Sequence, residues 1–84
     1  LVKVIGKEQK IVSIHYQKLV RLFELEGFTV SRQKGDHLIL TKPGVIRPVV
    51  IKTSPHKVPV THIMTNLRTA GISRERYFEL LDKI

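Results

Sequence analysis

Four histidines, at positions 15, 37, 56 and 62, are the side chains of this chain whose ordinary titration lies near neutral pH; there is no cysteine. His37 closes the run Arg32-Gln33-Lys34-Gly35-Asp36-His37. An imidazole beside guanidinium and ammonium groups is a minimum kit for cutting RNA. The ring moves protons, and the cations hold and neutralise the phosphate. The 2′-hydroxyl of the substrate supplies the nucleophile, so neither a protein nucleophile nor a metal is required. The plain alternative is a solvated surface histidine with no role.

The other histidines read more simply. His15 stands at a helix start, and His62 in a helix first turn on a polar face. His56 lies with Lys57 in a basic loop, Thr53-Ser54-Pro55-His56-Lys57-Val58-Pro59, where both can contact phosphate. No two histidines have the i, i+4 spacing of a zinc motif and no acidic cluster supplies oxygen ligands, so no metal site is expected. Zero cysteines exclude disulfides, thiolate zinc sites and cysteine nucleophiles. There is no Gly-rich phosphate loop and no pair of adjacent carboxylates, and no cofactor is expected.

Charge points the same way. The 84 residues carry 15 basic and 7 acidic side chains, a net +8. Within residues 28–68, Arg32, Lys34, Lys42, Arg47, Lys52, Lys57 and Arg68 face a single acid, Asp36. Excess charge of one sign in one segment is the footprint of a polyanion binder, and more than solubility requires. The basic segment reads as strands, which disfavours a membrane-surface helix. A chain of this length forms one domain with a thin core, which excludes a large enzyme with a deep enclosed pocket. It has no apolar run long enough to span a membrane. The first residues are too short and too charged a stretch for a signal peptide, and without an initial Met the native start is expected upstream. The default compartment is the cytoplasm.

The elements that position these residues follow from periodicity. Residues 1–12 form an N-terminal extension or edge strand, and residues 13–84 a single domain. Tyr16, Leu19, Val20 and Phe23 share one face of a helix begun by Ser13 or His15 and ended by Gly27. Residues 28–33 and 36–41 alternate around a turn at Lys34-Gly35, which predicts a hairpin. Leu38 and Leu40 then face the helices while His37, Ile39 and Thr41 face out. Pro43-Gly44 turns into a third strand at Val49-Val50-Ile51. Thr61 caps a helix bearing Ile63, Met64, Leu67 and Ala70 on one side and ended by Gly71. Ser73 starts a short helix over 74–83 with Tyr77, Phe78, Leu81 and Ile84 as its apolar side. Phe23, Phe28 and Phe78 read as core, leaving no exposed aromatic row to stack bases. The order αβββα plus a terminal helix is an α+β fold, with helices on one face of an antiparallel sheet.

The segments Glu26-Gly27-Phe28 and Arg32-Gln33-Lys34-Gly35-Asp36-His37, then Leu67-Arg68-Thr69-Ala70-Gly71-Ile72-Ser73 and Tyr77-Phe78-Glu79-Leu80-Leu81, resemble the HicA/YcfA family of small toxin ribonucleases. The likeness covers roughly residues 16–83, in order. It implies a double-stranded-RNA-binding-like αβββα fold and ribosome-independent cleavage of mRNA. It further implies His37 as the catalytic residue and a HicB-type antitoxin as partner. Arg32, Lys34, Lys42, His56 and Lys57 would then bind RNA, and Gly35 would form the turn that presents the ring. Two positions depart from the family. Asp36 stands where the family has Ser; its carboxylate can orient the ring by a hydrogen bond or repel phosphate. Ser54-Pro55-His56-Lys57 only approximates the family's basic Pro-x-His stretch. Two further readings are a non-catalytic RNA-binding domain of the same shape and a protein-interaction module with a basic face. The stretch Thr61-His62-Ile63-Met64-Thr65-Asn66 lacks the Lys cluster that a double-stranded RNA module uses at its last main helix.

Overall fold

The computed structural model describes residues 9–84. Its elements run β1 (Ile14–His15), α1 (Tyr16–Leu25), β2 (Thr29–Lys34), β3 (His37–Thr41), β4 (Val49–Lys52), β5 (Lys57–Val58), α2 (Val60–Ala70) and α3 (Arg74–Asp82). The expected α+β architecture is present, with β2-β3-β4 forming an antiparallel three-stranded sheet. Two short elements were not foreseen: β1, where only a helix start was expected, and its partner β5. Lys57–Val58, in the stretch expected to be loop, pairs antiparallel with Ile14–His15. A two-residue ladder is too short to show as alternation. Most of the expected extension over 1–12, and the charged first residues, lie outside the described residues; Ile11 packs against the core.

Each helix start has a different cap. His15 caps α1, its Nδ1 accepting from the Gln17 backbone N–H at 3.1 Å. Ser73 caps α3, its hydroxyl accepting from Arg76 N–H at 3.0 Å. Thr61 does not cap α2. That helix begins at Val60 behind Pro59, whose fixed φ suits a helix entry and whose carbonyl accepts from His62 and Ile63 at 3.0 Å. The helix ends at Gly71, in the left-handed conformation with φ 72° that glycine adopts without strain.

The core lies between the inner sheet face and the helices. Leu40, Val49 and Ile51 from the sheet meet Leu19, Leu22 and Phe23 of α1, Ile63 and Leu67 of α2, and Tyr77 and Leu80 of α3, all buried. Each such Leu or Phe contributes about 1.5–3 kcal/mol on burial. The expected helix faces are kept in part: Leu19 and Phe23, Ile63 and Leu67, and Tyr77 are buried as expected, but each face extends toward a position that was not. Leu22 is buried while Tyr16 and Val20 lie at the margin, because both the sheet and α3 cover α1. On α2, Met64 is exposed and Asn66 takes its place inside. On α3, Leu80 is buried, whereas Phe78 and Leu81 are half-buried, with the Arg74 guanidinium 5.2 Å from the Phe78 ring centre. Arg76 ties α3 to the end of α1, donating to Glu26 Oε1 from Nε at 3.1 Å and Nη2 at 2.9 Å.

Candidate nucleic-acid interface

The turn between β2 and β3 is Gly35-Asp36, closed by the pair Lys34 and His37, one residue later than the sequence suggested. Gly35 has φ 59° and no other residue of the turn has positive φ, the pattern of a hairpin turn with glycine at its first central position. A Cβ at Gly35 would meet nothing within 4 Å, so the demand for glycine is purely conformational. The turn is braced on both sides. Gln33 Nε2 donates to the Gly35 carbonyl at 3.1 Å. From the end of β4, Thr53 donates to the Asp36 carbonyl through its backbone N–H at 2.8 Å and its hydroxyl at 3.3 Å.

This brace fixes the backbone that carries His37. The ring itself lies against its neighbour: Nδ1 is 3.0 Å from Asp36 Oδ1. A carboxylate at this distance stands where it can orient the ring. Both side chains are close to half exposed, 44% and 49%, so solvent screens the pairing and its effect is on ring orientation more than on stability. With Nδ1 beside the carboxylate, Nε2 is the nitrogen left for a ligand.

Cross-strand register decides what surrounds the ring. Residues paired across an antiparallel ladder share a face. His37 pairs with Lys34 on β2 and Lys52 on β4, and Ile39 pairs with Arg32 and Val50. The opposite face holds the pairs Leu38 with Ile51 and Leu40 with Val49, which meet the helices. The outer face therefore carries Arg32, Lys34, His37 and Lys52 together, with His37 between two ammonium groups. A β-bulge between Val30 and Arg32 makes this possible. Val30 pairs with Leu40 and Arg32 with Ile39, so Ser31 is the extra residue, its hydroxyl donating to the Ile39 carbonyl at 3.1 Å.

At the β4 edge the face continues into a groove. Asn66 Nδ2 donates to the Val50 carbonyl at 2.9 Å and locks α2 against the strand. Beside this contact lies a groove of about 220 Å³ lined by His37, Val50, Lys52, His62, Thr65 and Asn66. Lys52 and His62 were not singled out in the sequence. For Lys52 the signal existed: with Val49 and Ile51 facing in, Lys52 must face out. The long turn before β4 hid which residue of β3 it would meet. His62 gave only a polar position in a first helical turn.

The remaining sequence candidates sit apart. Lys57 pairs with His15 in the β1–β5 ladder. The His56 ring lies 5.6 Å from the His15 ring and 6.2 Å from that of Tyr16, and its carbonyl accepts from the Tyr16 N–H at 2.8 Å. His56 is three residues beyond Thr53, so this second cluster begins within about 11 Å of the braced turn. Lys42 follows the far end of β3, about 17 Å from His37 at the rise of an extended chain. Its ammonium lies 5.6 Å from the Phe28 ring centre. Among the described residues no group of three or more His, Cys, Asp or Glu side chains is placed to hold a metal ion, and no helix is long and apolar enough to cross a membrane.

Comparison with known families matches residues 16–72 to the family described as HicA toxin of bacterial toxin-antitoxin. The matched span takes in α1, the braced hairpin, the groove and α2. No curated protein and no solved structure matches the chain.

Proposed function

The chain belongs to the HicA toxin family, and from that membership we propose that it is an mRNA interferase, an endoribonuclease acting in the cytoplasm and neutralised by a HicB-type antitoxin. The observation that supports this reading is the setting of His37. Its ring is half exposed, with Nδ1 3.0 Å from Asp36 Oδ1, and set between Lys34 and Lys52 on an outer sheet face. His37 Nε2 exchanges the proton with the ribose hydroxyl, and no metal takes part. Arg32, Lys34 and Lys52 hold the phosphate and offset the charge that develops on it. His56 and Lys57 extend the cationic surface past the braced turn, and Lys42 reaches only a more distant phosphate.

The test is incubation of the purified protein with a defined RNA, wild type beside His37→Ala, at low and moderate salt. Wild type is expected to cut. His37→Ala is expected to bind RNA without cutting, with stability changed by no more than about 0.5 kcal/mol because the ring lies at the surface. A folded His37→Ala that cuts at the parental rate would refute the assignment. Wild type that binds without cutting would instead be a non-catalytic RNA-binding domain.

A further inference from the structure

We propose that His62 is a second catalytic imidazole, the general acid that protonates the leaving 5′-oxygen while His37 acts as base; the proposal rests on the RNA-cleavage reading above. Attack by a 2′-hydroxyl on the adjacent phosphate involves two proton transfers on opposite sides of phosphorus, because attacking and leaving oxygens stand in line. One ring fixed on one flank of the phosphate serves only one of those oxygens. The groove at the β4 edge supplies a ring on the other flank.

The geometry follows from one hydrogen bond. Asn66 Nδ2 on the Val50 carbonyl sets the level of α2 against β4. From Val50 to Lys52 the strand advances about 6.8 Å toward the braced turn. From Asn66 back to His62 the helix covers about 6 Å toward the same end. His62 is thereby brought level with Lys52. His37 lies on the β3 side of Lys52, as its ladder partner, and His62 lies on the α2 side. All three line one groove, with Lys52 between two imidazoles. A phosphate on the Lys52 ammonium then has a proton acceptor on one flank and a proton donor on the other. The titratable and charged groups facing His62 across the groove are His37 and Lys52, and Asp36 stands behind His37.

The step balances without a co-reactant. The 2′-hydroxyl proton passes to His37 Nε2 as the 2′-oxygen bonds phosphorus. The bond from phosphorus to the 5′-oxygen breaks, and protonated His62 gives its proton to that oxygen. The products are a 2′,3′-cyclic phosphate and a 5′-hydroxyl, and exchange with water resets both rings.

The experiment separates the two rings by leaving group. An oligoribonucleotide that wild type cuts is compared with the same 3′-nucleotide esterified to p-nitrophenol, whose anion departs without protonation. His62→Ala is expected to slow cleavage of the natural substrate by about 10²–10⁴-fold, the usual contribution of a positioned acid, and that of the nitrophenyl ester by less than about 10-fold. His37→Ala is expected to lose both. Equal losses on both substrates in His62→Ala, or no loss on either, overturn the role. His62→Gln serves as a second variant should alanine disturb the helix start, and thermal unfolding checks that both remain folded. Wild type that cuts no RNA refutes the reading on which the proposal rests, a result distinct from either outcome for His62.

Discussion

His37 and Lys52 are ladder partners across β3 and β4, so the imidazole and the ammonium rise from the same face of the sheet as nearest cross-strand neighbours. Antiparallel partners stand about 4.5–5.5 Å apart at Cα, close enough for both to engage one phosphate group. Lys52→Ala is expected to lower kcat/KM for RNA by about 10²-fold, the scale of removing one donor that stabilises developing charge. Its RNA affinity should also lose salt dependence, the slope of log K against log salt becoming shallower by about 0.7. Lys52→Arg should recover part of the rate. Cleavage kinetics and a salt series on each variant check this, and parental rates in Lys52→Ala would remove Lys52 from the site.

Asp36 has two opposed effects, and substitution separates them. Its carboxylate lies 3.0 Å from His37 Nδ1, where it can orient the ring, yet places a negative charge beside the expected phosphate position. Asp36→Ala is expected to bind RNA more tightly while kcat falls about 10-fold, because the ring loses its orienting partner. Asp36→Ser restores the residue that the family carries here and should keep most of the activity. Separate measurement of kcat and KM decides between the effects. A rise in kcat on loss of the carboxylate would mean that repulsion dominates.

Gly35 permits a comparison of strain with space. No atom crowds its missing Cβ, but its φ of 59° lies where other residues are strained. Gly35→Ala is expected to destabilise the domain by about 1 kcal/mol, a drop of roughly 4–8 °C in Tm for a domain of this size. Gly35→Asn should cost about half as much, since Asn tolerates this conformation better. Thermal unfolding of the two variants reads the difference directly.

Much of this arrangement was legible from residue order. The alternation Leu38, Ile39, Leu40 put His37 on the outer face, and the glycines at 27, 35 and 71 marked real chain reversals. What could not be read was register. The turn between β3 and β4 is long, so nothing local fixed Lys52 opposite His37. The burial of Asn66 was hidden for a different reason. Its Nδ2 satisfies the carbonyl of Val50, a partner 16 residues away in sequence, while its Oδ1 has no partner among the described residues. The buried face of a helix widened beyond its expected positions where it is covered from two sides, as at Leu22.

Tyr77 gives a test of the core. Its hydroxyl is buried and has no hydrogen-bond partner among the described residues. Burial pushes its pKa above the ordinary 10.0. The unfolded chain therefore ionises first as pH rises. The stability that this tyrosine retains below pH 10 is lost progressively above it. Tyr77→Phe is expected to be neutral or stabilising by up to about 1 kcal/mol near neutral pH, since no bond is broken and a buried polar group is removed. It should also flatten the alkaline fall in stability. Denaturant midpoints at pH 7 and pH 10.5 for both proteins check this, and a clear loss of stability at pH 7 would show that the hydroxyl is bonded after all.

The single supernumerary residue in β2 decides which side of the sheet is cationic. Were Ser31 kept but paired regularly with Ile39, Arg32 would fall opposite Leu38 and Gln33 opposite His37. The guanidinium would then turn toward an apolar interior that cannot accommodate it, and an uncharged amide would take its place on the outer surface. Loss of the codon for Ser31 would by contrast leave the electrostatic polarity of the hairpin intact, since Arg32 and Lys34 keep their partners, whereas insertion of one more residue in a regular ladder would invert it.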